Sequence, residues 1–204
     1  MTDAPPENEL ASTAAIGVAG LVLAGGAGSR FGGPKALATT PDGTPWIRIA
    51  VDLLRSAGCE PVWVALGAEG ERAEALVPQG AVIVHSPHWT SGLSATLAVG
   101  LAAAREDGAE ALVIMPVDTP DASAAAVARI VEAGGARPRG MLVQATYAGV
   151  PGHPVLIGAG HFAPLEAALT GDRGARAYLV AHGVVEIECG DLWSGADIDE
   201  APAP

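Results

Sequence analysis

Short apolar runs alternate along this chain with segments whose apolar residues recur every three or four positions, and that alternation limits the folds open to it. The first run, residues 17–23, stops at Ala24-Gly25-Gly26-Ala27-Gly28, where glycine permits positive φ and close backbone approach. A turn at Pro41-Asp42-Gly43 then precedes Trp46, Ile49, Ala50, Leu53 and Leu54, one face of a helix ending near Gly58. Residues 61–66 (PVWVAL) and 81–84 (AVIV) read as buried strands, and Leu93, Leu97, Ala98 and Leu101 stripe the next helix. Residues 111–115 (ALVIM) form another buried strand, running straight into Pro116-Val117-Asp118; a helix over 123–133 and a strand over 141–146 follow. Residues 149–154 (GVPGHP) read as a break, followed by short helices at 162–169 and 175–182, a last strand at 184–188 and a ragged acidic tail. The pattern predicts one three-layer α/β/α domain around a mostly parallel, Rossmann-like sheet. Ligands of such sheets bind outside the carboxyl ends of the strands, so the loops after Leu23 and Met115 are expected to share one crevice.

Composition narrows the partners. A length of 204 residues suits a single domain, expected over 16–200 behind a disordered tail at 1–15. Half the residues are apolar but only 4% aromatic, so the core should be aliphatic. With 11 Lys and Arg against 23 Asp and Glu, the net charge of −12 repels nucleic acid and anionic lipid. Cys59 and Cys189 lie far apart and form no thiolate metal motif, which leaves them as small buried residues. No secretory signal starts the chain and no apolar run nears the ~18 residues that span a bilayer, so a cytoplasmic protein is expected.

Residues 23–35, LAGGAGSRFGGPK, carry the most chemical information. Glycines at 25, 26 and 28 bare backbone N–H groups that can wrap a phosphate, and Arg30 and Lys35 add fixed positive charge. A dinucleotide fingerprint starting at Gly26 needs glycine or alanine where Phe31 stands. A P-loop needs Gly-Lys-Ser/Thr where the chain has Gly33-Pro34-Lys35. Neither common nucleotide motif fits.

The stretch LAGGAGSRFGGPKAL resembles the signature loop of the molybdopterin nucleotidyltransferase-like proteins, within the wider nucleotide-diphospho-sugar transferase-like group. The resemblance implies that the loop, from Leu23 and Ala24 through Gly25, Gly26, Gly28 and Ser29, binds a nucleoside triphosphate. It implies that Arg30 grips the β- and γ-phosphates and that Lys35 neutralises charge at the α-phosphate. Asp118, emerging at the carboxyl end of ALVIM, suits a hard Mg²⁺ ion, and the similar Asp-small-Pro stretch of relatives supports it as metal ligand. Asp121 reads as a turn or cap residue.

Residues 85–94 resemble the loop that lies against the nucleotide in that family, with Ser91, Gly92, Leu93 and Ser94 contacting base or ribose through backbone groups and hydroxyls; either serine also suits a helix cap, and Trp89 suits loop packing. Gly152-His153-Pro154-Val155-Leu156 and Thr170-Gly171-Asp172-Arg173-Gly174-Ala175-Arg176 resemble the cytidylyltransferase branch and would flank the acceptor, with Arg173 pairing an acceptor phosphate beside His153. A loop histidine and a helix-capping Gly-Asp are the plainer readings of those segments. Asp197-Ile198-Asp199 is similar to a stretch whose aspartate approaches the metal, which makes Asp199 the candidate second ligand, although Glu200-Ala201-Pro202 departs from the usual continuation.

The resemblance implies in-line attack of an acceptor phosphate on the α-phosphate of the triphosphate, with Mg²⁺ on Asp118 and with Lys35 and Arg30 neutralising charge. Ala24-Gly25-Gly26 resembles the guanylyl branch, whereas GHPVL and TGDRGAR resemble the cytidylyl branch. Weighting the longer resemblance gives CTP as donor and molybdopterin as acceptor. GTP with molybdopterin, another phosphorylated acceptor, and a non-catalytic nucleotide sensor are the alternatives. A molybdoenzyme or its chaperone is the implied transient partner, and an NAD-dependent dehydrogenase is disfavoured by the failed dinucleotide spacing.

Overall fold

The computed structural model describes residues 17–200; the tail expected over residues 1–15 lies outside them. Seven strands form one sheet in the order β3-β2-β1-β4-β6-β5-β7. They are β1 (Val18–Ala24), β2 (Val62–Leu66), β3 (Val82–His85), β4 (Ala111–Pro116), β5 (Leu142–Tyr147), β6 (Val150–Gly158) and β7 (Val185–Glu188). β1 pairs parallel with β2 and β4, β2 with β3, and β5 with β7, while β6 alone runs against its neighbours β4 and β5. The expected three-layer α/β/α architecture with a mostly parallel sheet is the one observed.

Helices α1 (Trp46–Ser56), α2 (Gly70–Ala73), α3 (Leu93–Asp107), α4 (Ala124–Gly134), α5 (Phe162–Ala168) and α6 (Arg176–Ala181) complete the layers. On one face, Ile47, Val51 and Leu54 of α1 and Val127 and Ile130 of α4 pack on Val22, Val64 and Val113. On the other, Leu97 and Leu101 of α3, Phe162 and Leu165 of α5 and Leu179 of α6 pack on Leu21, Ala65 and Leu112. α3 turns Ser94, Leu97, Leu101 and Ala104 inward, a heptad-spaced stripe, and leaves Leu93 45% exposed. Gly100 lies on that stripe because a Cβ there would sit 2.3 Å from Leu21 Cδ2, so helix and sheet approach unusually closely.

Two readings from sequence change. β3 is an edge strand with Val82 44% exposed rather than a buried one, because β2 is its sole strand neighbour. The GVPGHP segment is the start of β6 rather than a break. A two-residue turn at Ala148 (φ 51°) and Gly149 (φ 78°) reverses the chain as an I′ hairpin does. The register then slips between Gln144 and Thr146, bulging residues 152–154 out of the ladder. Gln144 Nε2 donates to Gly152 O at 3.1 Å and Tyr147 Oη to His153 O at 2.7 Å, so side chains satisfy the bulged carbonyls. Pairing with β4 begins only at Val155, so Pro151 and Pro154 interrupt no ladder bond on that side.

Beyond β7 the chain crosses back over the carboxyl edge of the sheet without regular structure. Trp193 packs edge-on against Tyr147 at 5.3 Å between ring centroids. Gly195, at φ 75°, passes so close that a Cβ would meet the Tyr147 ring at 2.2 Å. Ile198 then donates its amide to Asp118 O at 2.9 Å, which fastens the acidic segment to the end of β4.

Candidate active site

The glycine loop starts where β1 ends and is shaped by close approach at two residues. A Cβ on Gly25 would lie 2.3 Å from Thr96 Oγ1 in the first turn of α3, so only glycine fits between loop and helix. Gly28 takes φ 59°, and its carbonyl accepts the amides of Gly32 and Gly33 at 3.0 and 3.1 Å, closing the loop on itself. At Gly26 an added Cβ would meet nothing within 4 Å, so that stretch of backbone is bare toward the cleft.

Lys35 opens a single 3-10 turn (Lys35–Leu37) directly after the loop. Its Nζ donates to Asp118 Oδ2 at 2.8 Å and to Asp199 Oδ1 at 3.1 Å, while Arg30 reaches Asp199 Oδ2 at 3.3 Å. Burial disfavours the Lys35 ammonium, but hydrogen bonds and charge from Asp118 and then Asp199 outweigh it and hold its pKa above the ordinary lysine value. The hydrogen bond and charge of Lys35, helped by Arg30, hold the Asp199 carboxyl below the usual range.

Asp197 joins this group: one oxygen each from Asp118, Asp197 and Asp199 lie within 4.8 Å of one another. Asp118 Oδ1 is buried and has no hydrogen-bond partner among the described residues. Three carboxylates against two cations leave excess negative charge around an unsatisfied oxygen, and an all-oxygen donor set of this kind fits a hard divalent ion such as Mg²⁺ or Mn²⁺.

The loop, Lys35 and Asp118 line a cleft of about 400 Å³ whose other wall is Trp89, Thr90, Gly92, Leu93 and Thr96. A second cavity of about 210 Å³ adjoins it across Leu23 and Leu93. Leu97, Ile114, Val155 and Leu179 give it an apolar floor, and Gln144, His153, Arg173 and Arg176 supply its polar groups. Burial pushes the His153 imidazole below its ordinary pKa, against the pull of Asp118 and Asp197, so the ring is neutral at neutral pH. The arrangement places a glycine loop with bare backbone, a lysine–carboxylate cluster and a separate half-apolar cavity side by side, a layout open to a two-substrate transfer.

Residues 20–186 match the model of the MobA-like NTP transferase domain. The chain belongs to that family. The MobA-like domain here is 33% identical over 195 residues to the nicotine blue oxidoreductase of Paenarthrobacter nicotinovorans, covering 89% of this chain and 92% of the relative. It is 34% identical over 104 residues to a probable molybdenum cofactor guanylyltransferase of Rhodopirellula baltica, a match that spans about half of each chain, 51% and 49%. Among solved structures, Rv0371c of Mycobacterium tuberculosis H37Rv superposes with a TM-score of 0.74 at 28% identity, over 90% of this chain and 92% of that one. Rv0371c has also been solved in complex with manganese.

Within this MobA-like domain, Leu23, Ala24, Gly25, Gly26, Gly28, Lys35, Gly92 and Asp118 line the one cleft. Arg30, 77% exposed, reaches the cluster from outside it. Ser29 faces a neighbouring groove with Gly32 and Gly33. Ser91 is exposed in the turn before α3, and Ser94 is buried with its Oγ unpartnered among the described residues; neither lines the cleft. His153 and Arg173 meet in the second cavity. Sequence reasoning passed over Asp197, Thr96 and Asp172 as site residues. The i, i+2 spacing of Asp197 and Asp199 was the available signal, since it puts both side chains on one side of an extended segment.

Proposed function

We propose that this protein is a divalent-metal-dependent nucleotidyltransferase that moves GMP from GTP to the phosphate of a molybdopterin-type acceptor. The observation that carries the reading is the Lys35–Asp118–Asp199 cluster, set between the glycine loop and a second cavity holding His153 and Arg173. An acceptor phosphate oxygen, already anionic, forms a bond to the α-phosphorus; the bond from that phosphorus to the α,β-bridging oxygen breaks, and pyrophosphate leaves with the electron pair. No proton has to be abstracted, so the site supplies position and charge. Lys35 meets the α-phosphate, the bared loop amides and Arg30 take the outer phosphates, and Arg173 and Arg176 meet the acceptor's charge. A divalent ion held by Asp118, with Asp197 and Asp199 beside it, would neutralise charge on the phosphates; the manganese complex of Rv0371c supports such use.

The preference for GTP over CTP rests on where the competing segments lie. Ala24-Gly25-Gly26, the stretch of guanylyl character, lines the nucleotide cleft. GHPVL and the Arg173–Arg176 end of TGDRGAR, stretches of cytidylyl character, contribute His153, Gly152, Arg173 and Arg176 to the other cavity, while Asp172 of the same stretch lines the nucleotide cleft. Apart from Asp172, those segments therefore speak to the acceptor, and the CTP expectation drawn from them gives way to GTP, in line with the names of several relatives.

The full-length relative named an oxidoreductase favours a second reading, in which this scaffold serves a redox reaction. Two assays separate the readings: pyrophosphate release from GTP, CTP, ATP and UTP with Mg²⁺ and molybdopterin, and oxidation of a reduced nicotinamide dinucleotide with nicotine blue, the compound in that relative's name, as electron acceptor. Release with GTP supports the transferase; dinucleotide oxidation without pyrophosphate from any nucleotide would overturn it.

A further inference from the structure

Three charged side chains line the nucleotide cleft: Lys35, Asp118 and Asp172. Lys35 and Asp118 are bonded to each other at 2.8 Å. Asp172 makes no ion pair or side-chain hydrogen bond among the described residues, so both of its oxygens are available to a ligand. The backbone nonetheless holds it in place. Ser94 N donates to Gly171 O at 3.1 Å, docking the 170–174 loop on the start of α3. Gly92, at φ 101°, lets the loop approach; a Cβ there would stand 2.2 Å from Asp172 Oδ1.

A carboxylate repels phosphate, so within a triphosphate cleft Asp172 belongs at the nucleoside end. Its surroundings suit the base more than the sugar. Trp89 and the 45% exposed Leu93 line the same cleft and offer apolar surface to the faces of a flat ring. A free carboxylate accepts two hydrogen bonds side by side, and guanine is the common base whose edge presents two adjacent donors, N1–H and the 2-amino group. Cytosine and adenine set one donor beside an acceptor, which such a carboxylate cannot satisfy.

We propose that Asp172 is the specificity-determining residue for the donor base, accepting N1–H and the 2-amino group of guanine. The inference rests on the GTP reading above. Titration calorimetry with Mg²⁺ and GTP, ITP, XTP or CTP tests it without needing the acceptor, using the unaltered protein and Asp172→Asn. ITP lacks the 2-amino group, and XTP carries a carbonyl in its place.

The unaltered protein should bind GTP roughly ten- to a hundredfold more tightly than ITP. Asp172→Asn should lose that margin and gain affinity for XTP, because the new amide donates to the xanthine carbonyl while its oxygen still accepts N1–H. Asp172→Ala should lose the GTP margin without gaining XTP. A GTP-over-ITP margin that persists in Asp172→Asn, or an absent gain for XTP, overturns the contact alone. Preference of the unaltered protein for CTP overturns the donor reading along with it.

Discussion

Lys35 holds its charge because two carboxylates face it. Its bond to Asp118 is mostly enclosed, with side-chain exposures of 15% and 18%, so the pair feels less screening than a surface ion pair. Lys35→Ala should leave the far-ultraviolet circular dichroism unchanged. It should slow pyrophosphate release ~100- to 1000-fold, on the order of 3 kcal/mol of lost transition-state stabilisation. Turnover near the unaltered rate from folded Lys35→Ala would remove the lysine from the chemistry. Asp118 was legible in sequence because it follows an apolar run closely, where the end of a strand fixes its direction, and Lys35 because it closes the glycine loop that another such run opens. Asp197 was not, since residues 190–200 have no period and are placed by Trp193, Gly195 and Ile198 against distant partners.

At the scale of elements, the sequence read helices and the central parallel strands β1, β2 and β4 well, because burial on both faces leaves continuous apolar runs and one-sided helices leave stripes. It misread β6, where glycine and proline serve a bulge braced by Gln144 and Tyr147, both residues of another strand. The same hairpin carries a pH signature. Glu188 on β7 accepts the amides of Ala148, Gly149 and Gly190 and the hydroxyl of Thr146. Those backbone hydrogen bonds hold its carboxyl below the ordinary value of 4.5. A depressed folded-state pKa means that its contribution is fully present above the unfolded value and fades as pH falls through the folded one. Glu188→Gln should therefore lower the melting temperature at pH 7, and the gap to the unaltered protein should narrow by pH 3. A gap that stays constant or widens on acidification would show that the ionised carboxylate is not what stabilises the turn.

As a whole the molecule is acidic, with a net charge of −12, yet it is read as binding a polyanion. Its described residues include no helix long and apolar enough to cross a membrane. With three carboxylates at the heart of the site, two basic side chains do not offset both the protein's charge and a triphosphate's. Chelation should therefore abolish nucleotide affinity as well as turnover, with Mg²⁺ or Mn²⁺ restoring both and Asp197→Asn raising the metal concentration needed. GTP bound equally well in excess EDTA, followed by calorimetry, would argue that the cluster serves the fold instead.

The reversed course of β6 has a bearing on how such a protein can diverge. The parts proposed to grip the triphosphate come from the ends of β1 and β4, whereas His153 arrives on a hairpin contiguous in sequence, residues 142–158. A lineage can therefore rewrite that hairpin and change its clientele, leaving the currency of the reaction as it was.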